Sequence, residues 1–247
     1  MKVMAFFLSM GLATATSAET IHFTTEDYPP YNYRQGNGYS GAGYKQVVEL
    51  MKYVDADYTV ELMPWARAFA LAETEGNTCV FTTAHIPERN DRFKWVEPLA
   101  IDRNFMIARK GSGVRVNNDE EAKRYVVGTQ RDDYTEDLLE RNGFPKIDLA
   151  TDLNLTLKKL VAGRIDLMPI SEKFYMKLKK EGNPVEAQYI FSKQTFSIAC
   201  NINFPEQLHL SMQEGLNRIM ADGTQARLLQ EEGLGGLGET TDEFPKQ

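Results

Sequence analysis

The 247-residue chain is poor in the residues that build metal centres and covalent catalysts, with two cysteines and three histidines. His22, His85 and His209 share no ligand-type spacing with one another or with Cys79 and Cys200, so no metal and no cofactor is assigned. No Ser-His-Asp or Cys-His pattern suggests a nucleophile. Basic residues are the minority, 28 Lys and Arg against 35 Asp and Glu, for a net charge of −7. That balance argues against nucleic acid or an anionic membrane surface as partner, because both call for clustered cations. Long apolar runs are also missing, and nothing approaches the ~20 residues of a spanning helix. Internal repeats and low-complexity segments are absent.

What is present begins at the N-terminus. Met1-Lys2, an apolar run from Val3 to Ala13 and the small residues Thr16-Ser17-Ala18 form the pattern of a secretory signal peptide over residues 1–18. Cleavage after Ala18 moves the formal charge from −7 to −8. No Cys stands at the cleavage point to carry a lipid, so the expectation is an exported, periplasmic protein without a direct membrane anchor. In that oxidising compartment Cys79 and Cys200 are a candidate disulfide, with two buried thiols as the alternative.

The rest of the chain alternates strands and helices. Ile21–Thr24 reads as a strand, and Tyr44, Val47, Val48 and Met51 recur at helical spacing. Tyr58, Val60 and Leu62 alternate as a strand. Pro64 suits the first turn of a helix reaching about Glu75, and a strand begins at Cys79. An extended piece from Asn104 to Ala108 ends in Arg109-Lys110-Gly111-Ser112-Gly113, which reads as a crossing point between two units. A second series follows: strands near 125–128, 147–150 and 166–170, and helices at 135–142 and after Asp152, with Gly143 and Gly163 as stops. Phe196–Cys200 is a late strand, two helices (205–221 and 224–232) follow, and the glycine-rich end from Gly233 looks loosely held. This is an α/β pattern with mainly parallel pairing expected.

Three pieces carry a resemblance: Glu26-Asp27-Tyr28-Pro29-Pro30-Tyr31, then Pro87-Glu88-Arg89 followed by Phe93-Lys94-Trp95-Val96-Glu97-Pro98, and Leu160-Val161-Ala162-Gly163-Arg164-Ile165-Asp166. In this order they resemble the bacterial extracellular solute-binding proteins of family 3, the periplasmic amino-acid-binding type. The resemblance implies a two-lobed periplasmic-binding-protein-like fold (type II), with a ligand cleft between lobes joined by two hinge strands. Residues 19–107 and 201–247 would form lobe 1, and 108–200 lobe 2.

The resemblance also implies site residues. Arg89 corresponds to the arginine that pairs with a ligand carboxylate, for which a guanidinium fork is well suited; pairing with Glu88, Asp91 or Glu97 on the surface is the competing role. Tyr28 and Trp65 correspond to aromatics that sandwich the ligand, although Trp65 shares a helical face with Ala68, Phe69 and Ala72 and so also suits a core. Arg67 is either a second cationic contact or a solvated helix residue. Thr82 and Thr83 stand where donors to the carboxylate are expected. The pattern departs at Gly41-Ala42-Gly43-Tyr44-Lys45, at Asp132-Asp133-Tyr134 in the second-lobe loop, and at Ser171, which stands where the family places the aspartate for an α-ammonium. A hydroxyl supplies no opposite charge. Either Glu172, Asp132 or Asp133 replaces it, or the ligand has no α-ammonium.

The function these residues imply is capture of a small polar, carboxylate-bearing ligand by lobe closure, for an inner-membrane ABC permease. A sensor using the same closure is the alternative, and a small-acid dehydratase or lyase, with Glu172 or Asp133 as its acid or base, is the remaining one. With no sustained exposed apolar stripe, a monomer is expected.

Overall fold

A computed structural model describes residues 20–235; the leader expected over 1–18 and the tail beyond 235 lie outside them. The first half runs β1 (Thr20–Thr25), β2 (Tyr33–Gln35), β3 (Gly38–Ser40), α1 (Ala42–Leu50), β4 (Asp57–Leu62), α2 (Trp65–Thr74), β5 (Thr78–Ala84) and β6 (Phe93–Arg109). The second runs α3 (Asp119–Ala122), β7 (Val127–Gln130), α4 (Tyr134–Arg141), β8 (Ile147–Ala150), α5 (Leu153–Val161), β9 (Leu167–Ser171), α6 (Glu172–Lys180), β10 (Val185–Asn201), α7 (Glu206–Ala221) and α8 (Thr224–Glu231).

The local signals explain most of these boundaries. Asp152 caps α5 by accepting from the Leu155 N–H, and Gly143 and Gly163 turn the chain out of α4 and α5 at φ of 75° and 71°. Pro64 sits one residue before α2, as its cap. Helix α6 has no counterpart in the sequence reading, although Phe174, Tyr175 and Leu178 bury one face at helical spacing. The glycine-rich end is partly anchored, since Leu234 is buried against Tyr31 and Leu229.

One sheet carries the order β4-β1-β5-β10-β6-β9-β7-β8. Its flanks are parallel, but β10 runs antiparallel to both β5 and β6, and β6 antiparallel to β9. The sheet is therefore mixed rather than mainly parallel. The cause is the pair of 17-residue strands β6 and β10, which pair from Val185↔Arg109 to Asn201↔Phe93 and run the length of the molecule. The short pieces read at 104–108 and 196–200 are segments of these two strands.

Apolar packing forms a cluster towards each end of the long strands, and a further cluster joins Tyr31, Ala84 and Phe196 to Tyr134 and Leu138 between them. Ile21, Phe23, Val47, Phe81, Leu216 and Ile219 share one buried cluster, whereas Phe105, Ile107, Leu160, Ile165, Ile170 and Leu178 share another. Each fully buried side chain of this kind contributes about 1.5–3 kcal/mol. Cys79 and Cys200 face each other on β5 and β10 and form a disulfide.

Candidate functional site

The carboxyl ends of the parallel strands in both flanks point into the space between them, the usual place for a ligand in open α/β sheets. Glu26 follows β1, Trp65 opens α2 and Thr82 lies near the end of β5, while Gln130 ends β7, Asp133 and Tyr134 open α4 and Ser171 ends β9. Together these seven residues line an inner cavity with about 30 Å³ of free space. An outer cavity of about 260 Å³ adjoins it, sharing Glu26, Trp65, Gln130 and Leu153 and adding Asp27, Arg34 and Asp152.

Of the residues expected at the site, Tyr28, Trp65, Thr82, Asp133, Tyr134 and Ser171 line the inner cavity. Their roles differ from those expected. The Tyr28 ring stacks on Tyr31 and on Phe174, at 5.8 and 5.4 Å between centroids, so its faces are occupied by protein rings. Its hydroxyl accepts from the Ser171 N–H at 3.3 Å. Trp65 is buried against Phe69, and its indole Nε1 donates to the Asp132 carbonyl at 2.7 Å. The Thr82 hydroxyl donates to Asn32 Oδ1 at 2.7 Å, from a backbone held at φ 59°. The Ser171 hydroxyl is used as the cap of α6, accepting from the Phe174 N–H at 3.2 Å.

The others stand elsewhere. Thr83 is buried beneath the sheet surface with its hydroxyl on the Val80 carbonyl, and Arg67 is exposed on α2; neither lines a cavity. The Glu172 carboxylate accepts from Arg103 Nε at 2.7 Å, so it is already paired and does not replace the missing aspartate. Asp132 exposes its side chain and contributes its backbone from a left-handed turn at φ 58°; its N–H donates to Glu136 at 2.7 Å.

Arg89 is 1 % exposed and does not line either cavity. Its Nε and Nη2 donate to Asp137 Oδ2 at 3.2 and 3.0 Å, and Nη2 also donates to the Asp132 carbonyl at 2.9 Å. The guanidinium lies over Phe69, 4.5 Å from the ring centroid. Its partner is thus a carboxylate of the chain itself, contributed by α4, and not Glu88, Asp91 or Glu97. Glu88 pairs instead with Arg141 at 2.6 Å.

Among the lining residues with no role assigned from the sequence are Glu26 and Gln130. Gln130 Nε2 donates to Glu26 Oε2 at 2.9 Å. Burial, reinforced by the carboxylates of Asp133, Asp27 and Asp152, pushes the Glu26 carboxyl up to about 8. Burial also raises Asp133 above the usual carboxylate range, against the lowering effect of its bonds from the Thr135 N–H and hydroxyl. The position of Glu26, two residues before Tyr28 in the Glu-Asp-Tyr-Pro-Pro-Tyr piece, was the available signal.

The sequence model of the bacterial extracellular solute-binding proteins, family 3, matches residues 21–232. Among solved structures, a histidine kinase sensor domain with similarity to periplasmic binding proteins is similar at a TM-score of 0.79 and 18 % identity, over 87 % of this chain and 96 % of that one. The arginine-, lysine-, histidine-binding protein ArtJ from Geobacillus stearothermophilus is similar at 0.77 and 16 %, over 86 % and 94 %. The ancestral amino acid-binding protein AncCDT-1, a precursor of cyclohexadienyl dehydratase, is similar at 0.73 and 19 %, over 86 % and 94 %. Those likenesses establish the shared fold. With the family match spanning nearly all the described residues, this chain belongs to the bacterial extracellular solute-binding proteins, family 3.

Proposed function

We propose that this protein is exported to the periplasm and captures a small polar ligand between two lobes, delivering it as a monomer to an inner-membrane ABC permease without chemical change. Of the described residues, 20–107 and 201–235 make up lobe 1 and 108–200 lobe 2, with β6 and β10 as the hinge strands. The observation that carries the reading is the cavity itself, lined by Glu26, Trp65 and Thr82 from one flank of the sheet and by Gln130, Asp133 and Ser171 from the other. A site assembled from both flanks is completed by closure and opened by a hinge. The inner space is only water-sized, which suits a closed form that must part to admit a ligand. Likeness to a histidine kinase sensor domain supports a second reading, in which the same closure reports a ligand to a signalling partner.

The family's carboxylate contact belongs to Arg89, which here meets Asp137. A carboxylate ligand would have to displace that side chain. The reading is tested by a thermal-shift screen of the purified protein against amino acids, other small carboxylates and amines. A ligand at a hundred times its Kd stabilises the fold by about 2.7 kcal/mol, a rise of roughly 5–10 °C at this size. A panel that leaves the melting temperature unchanged throughout refutes capture of a small polar solute.

A further inference from the structure

We propose that the cleft takes the ammonium group of a small organic amine, held between the carboxyl groups of Glu26 and Asp133, and that it requires no carboxylate on the ligand. The inference rests on reading the cleft as the ligand site and names what that site selects. Four independent observations converge on it.

The guanidinium that a ligand carboxylate would need, that of Arg89, is buried and absent from the lining. Its Nε and Nη2 are bonded to Asp137 and the Asp132 carbonyl, its Nη1 is unpartnered, and its charge acts on Asp133 from outside the cavity. The inner cavity is lined by two acids, Glu26 and Asp133, and by no Lys, Arg or His. Each acid uses one oxygen internally, Glu26 Oε2 for Gln130 and Asp133 Oδ1 for Thr135. Among the described residues Oε1 of Glu26 and Oδ2 of Asp133 accept no hydrogen bond, which leaves one acceptor on each flank of the sheet. Finally, Trp65 and Tyr134 line the same space, and aromatic residues beside a cleft favour a cation over an anion.

The free volume of the inner cavity matches a single ammonium or methylammonium group better than a whole amino acid. The outer cavity gives the remainder of such a ligand a path past Glu26 and Trp65. There Asp27 and Asp152 face one cation, Arg34, whose Nη2 is bonded to the Leu62 carbonyl and whose guanidinium lies over Tyr39. Acid therefore exceeds base along the whole path, and a diamine satisfies it at both ends. The elevated Glu26 carboxyl fits this arrangement, since an acid crowded by burial and other acids is one that an incoming cation relieves.

The test is isothermal titration of the purified protein at pH 8 with unbranched diamines of three to six carbons. The ω-amino acids and dicarboxylates of the same chain lengths are run beside them. The expected result is that at least one diamine binds, that its ω-amino acid binds more weakly, and that no dicarboxylate binds. Glu26→Gln should weaken the diamine about tenfold or more while unfolding as cooperatively as the wild type, and Asp133→Asn should do the same. Binding of a dicarboxylate that is lost in Arg89→Ala overturns the inference and leaves ligand capture standing. Binding of amino acids alone, unaffected by Glu26→Gln, does likewise. Failure of every compound here and in the thermal-shift panel overturns both.

Discussion

Glu26 shows how burial and neighbouring acids set the protonation of one side chain. In the folded protein its carboxyl is pushed up to about 8, from an ordinary value of 4.5, first by burial and then by the Asp133, Asp27 and Asp152 carboxylates. The Gln130 bond acts in the lowering direction, and Arg34 is the one cation on the outer lining. The folded state thus holds a proton that the unfolded chain has released. Its stabilising contribution is complete below the unfolded value, and is lost as pH rises from there through about 8. Glu26→Gln removes the cost of ionising this group. The variant is expected to melt higher than wild type at pH 8–9 and to match it near pH 4, as read by thermal unfolding across that range. A constant difference at every pH would show that the carboxyl does not titrate where its surroundings place it.

The elements hold the site by tying strand ends together, and the disulfide between β5 and β10 is the strongest of these ties. It closes a separation of 121 residues between positions already paired in the ladder, on the strand β5 that carries Thr82 to the cleft. Removing it with Cys79→Ala and Cys200→Ala together is expected to cost about 2–5 kcal/mol in urea unfolding. An unchanged midpoint would mean that the ladder alone sets the register. At the start of α1 a different constraint acts. A Cβ on Gly43 would stand 2.5 Å from the Thr82 hydroxyl and 2.6 Å from Asn32 Oδ1, so this glycine lets the helix approach the pair that braces Thr82. The capping hydroxyl of Ser171 belongs with these devices, since it starts α6 and leaves no charge where the family places an aspartate.

Across the whole molecule, polar contacts close the cleft from opposite sides of the long strands. Trp65 reaches the Asp132 carbonyl, Arg89 reaches Asp137 and also the Asp132 carbonyl, Arg141 reaches Glu88, Gln130 reaches Glu26 and Tyr28 reaches Ser171. Two are ion pairs, and the buried Arg89 makes its own pair the costlier to break. The combined Asp137→Ala, Arg141→Ala variant is therefore expected to populate an open form without ligand. Small-angle scattering should show a radius of gyration on the order of 1 Å above the about 18 Å of a compact chain this long. Equal radii for variant and wild type would mean that other contacts hold the lobes.

How much of this was legible in the sequence follows from the range over which each signal acts. Periodicity, caps and stops are local, so β1, α1, β4, α2, β5 and the α5 cap could be read from windows of a few residues. The order of the Tyr-Pro-Pro-Tyr, Pro-Glu-Arg and Leu-Val-Ala-Gly-Arg pieces was enough to indicate the family, because spacing along the chain is itself sequence information. Tertiary structure alone decided that 104–108 and 196–200 belong to two long strands, since pairing, not composition, extends them. It alone turned Arg89 onto Asp137, 48 positions away, and set Gln130 on Glu26 across 104. No local pattern encodes which charges meet when two distant segments fold together, and that meeting is what gives this cleft its acidic lining.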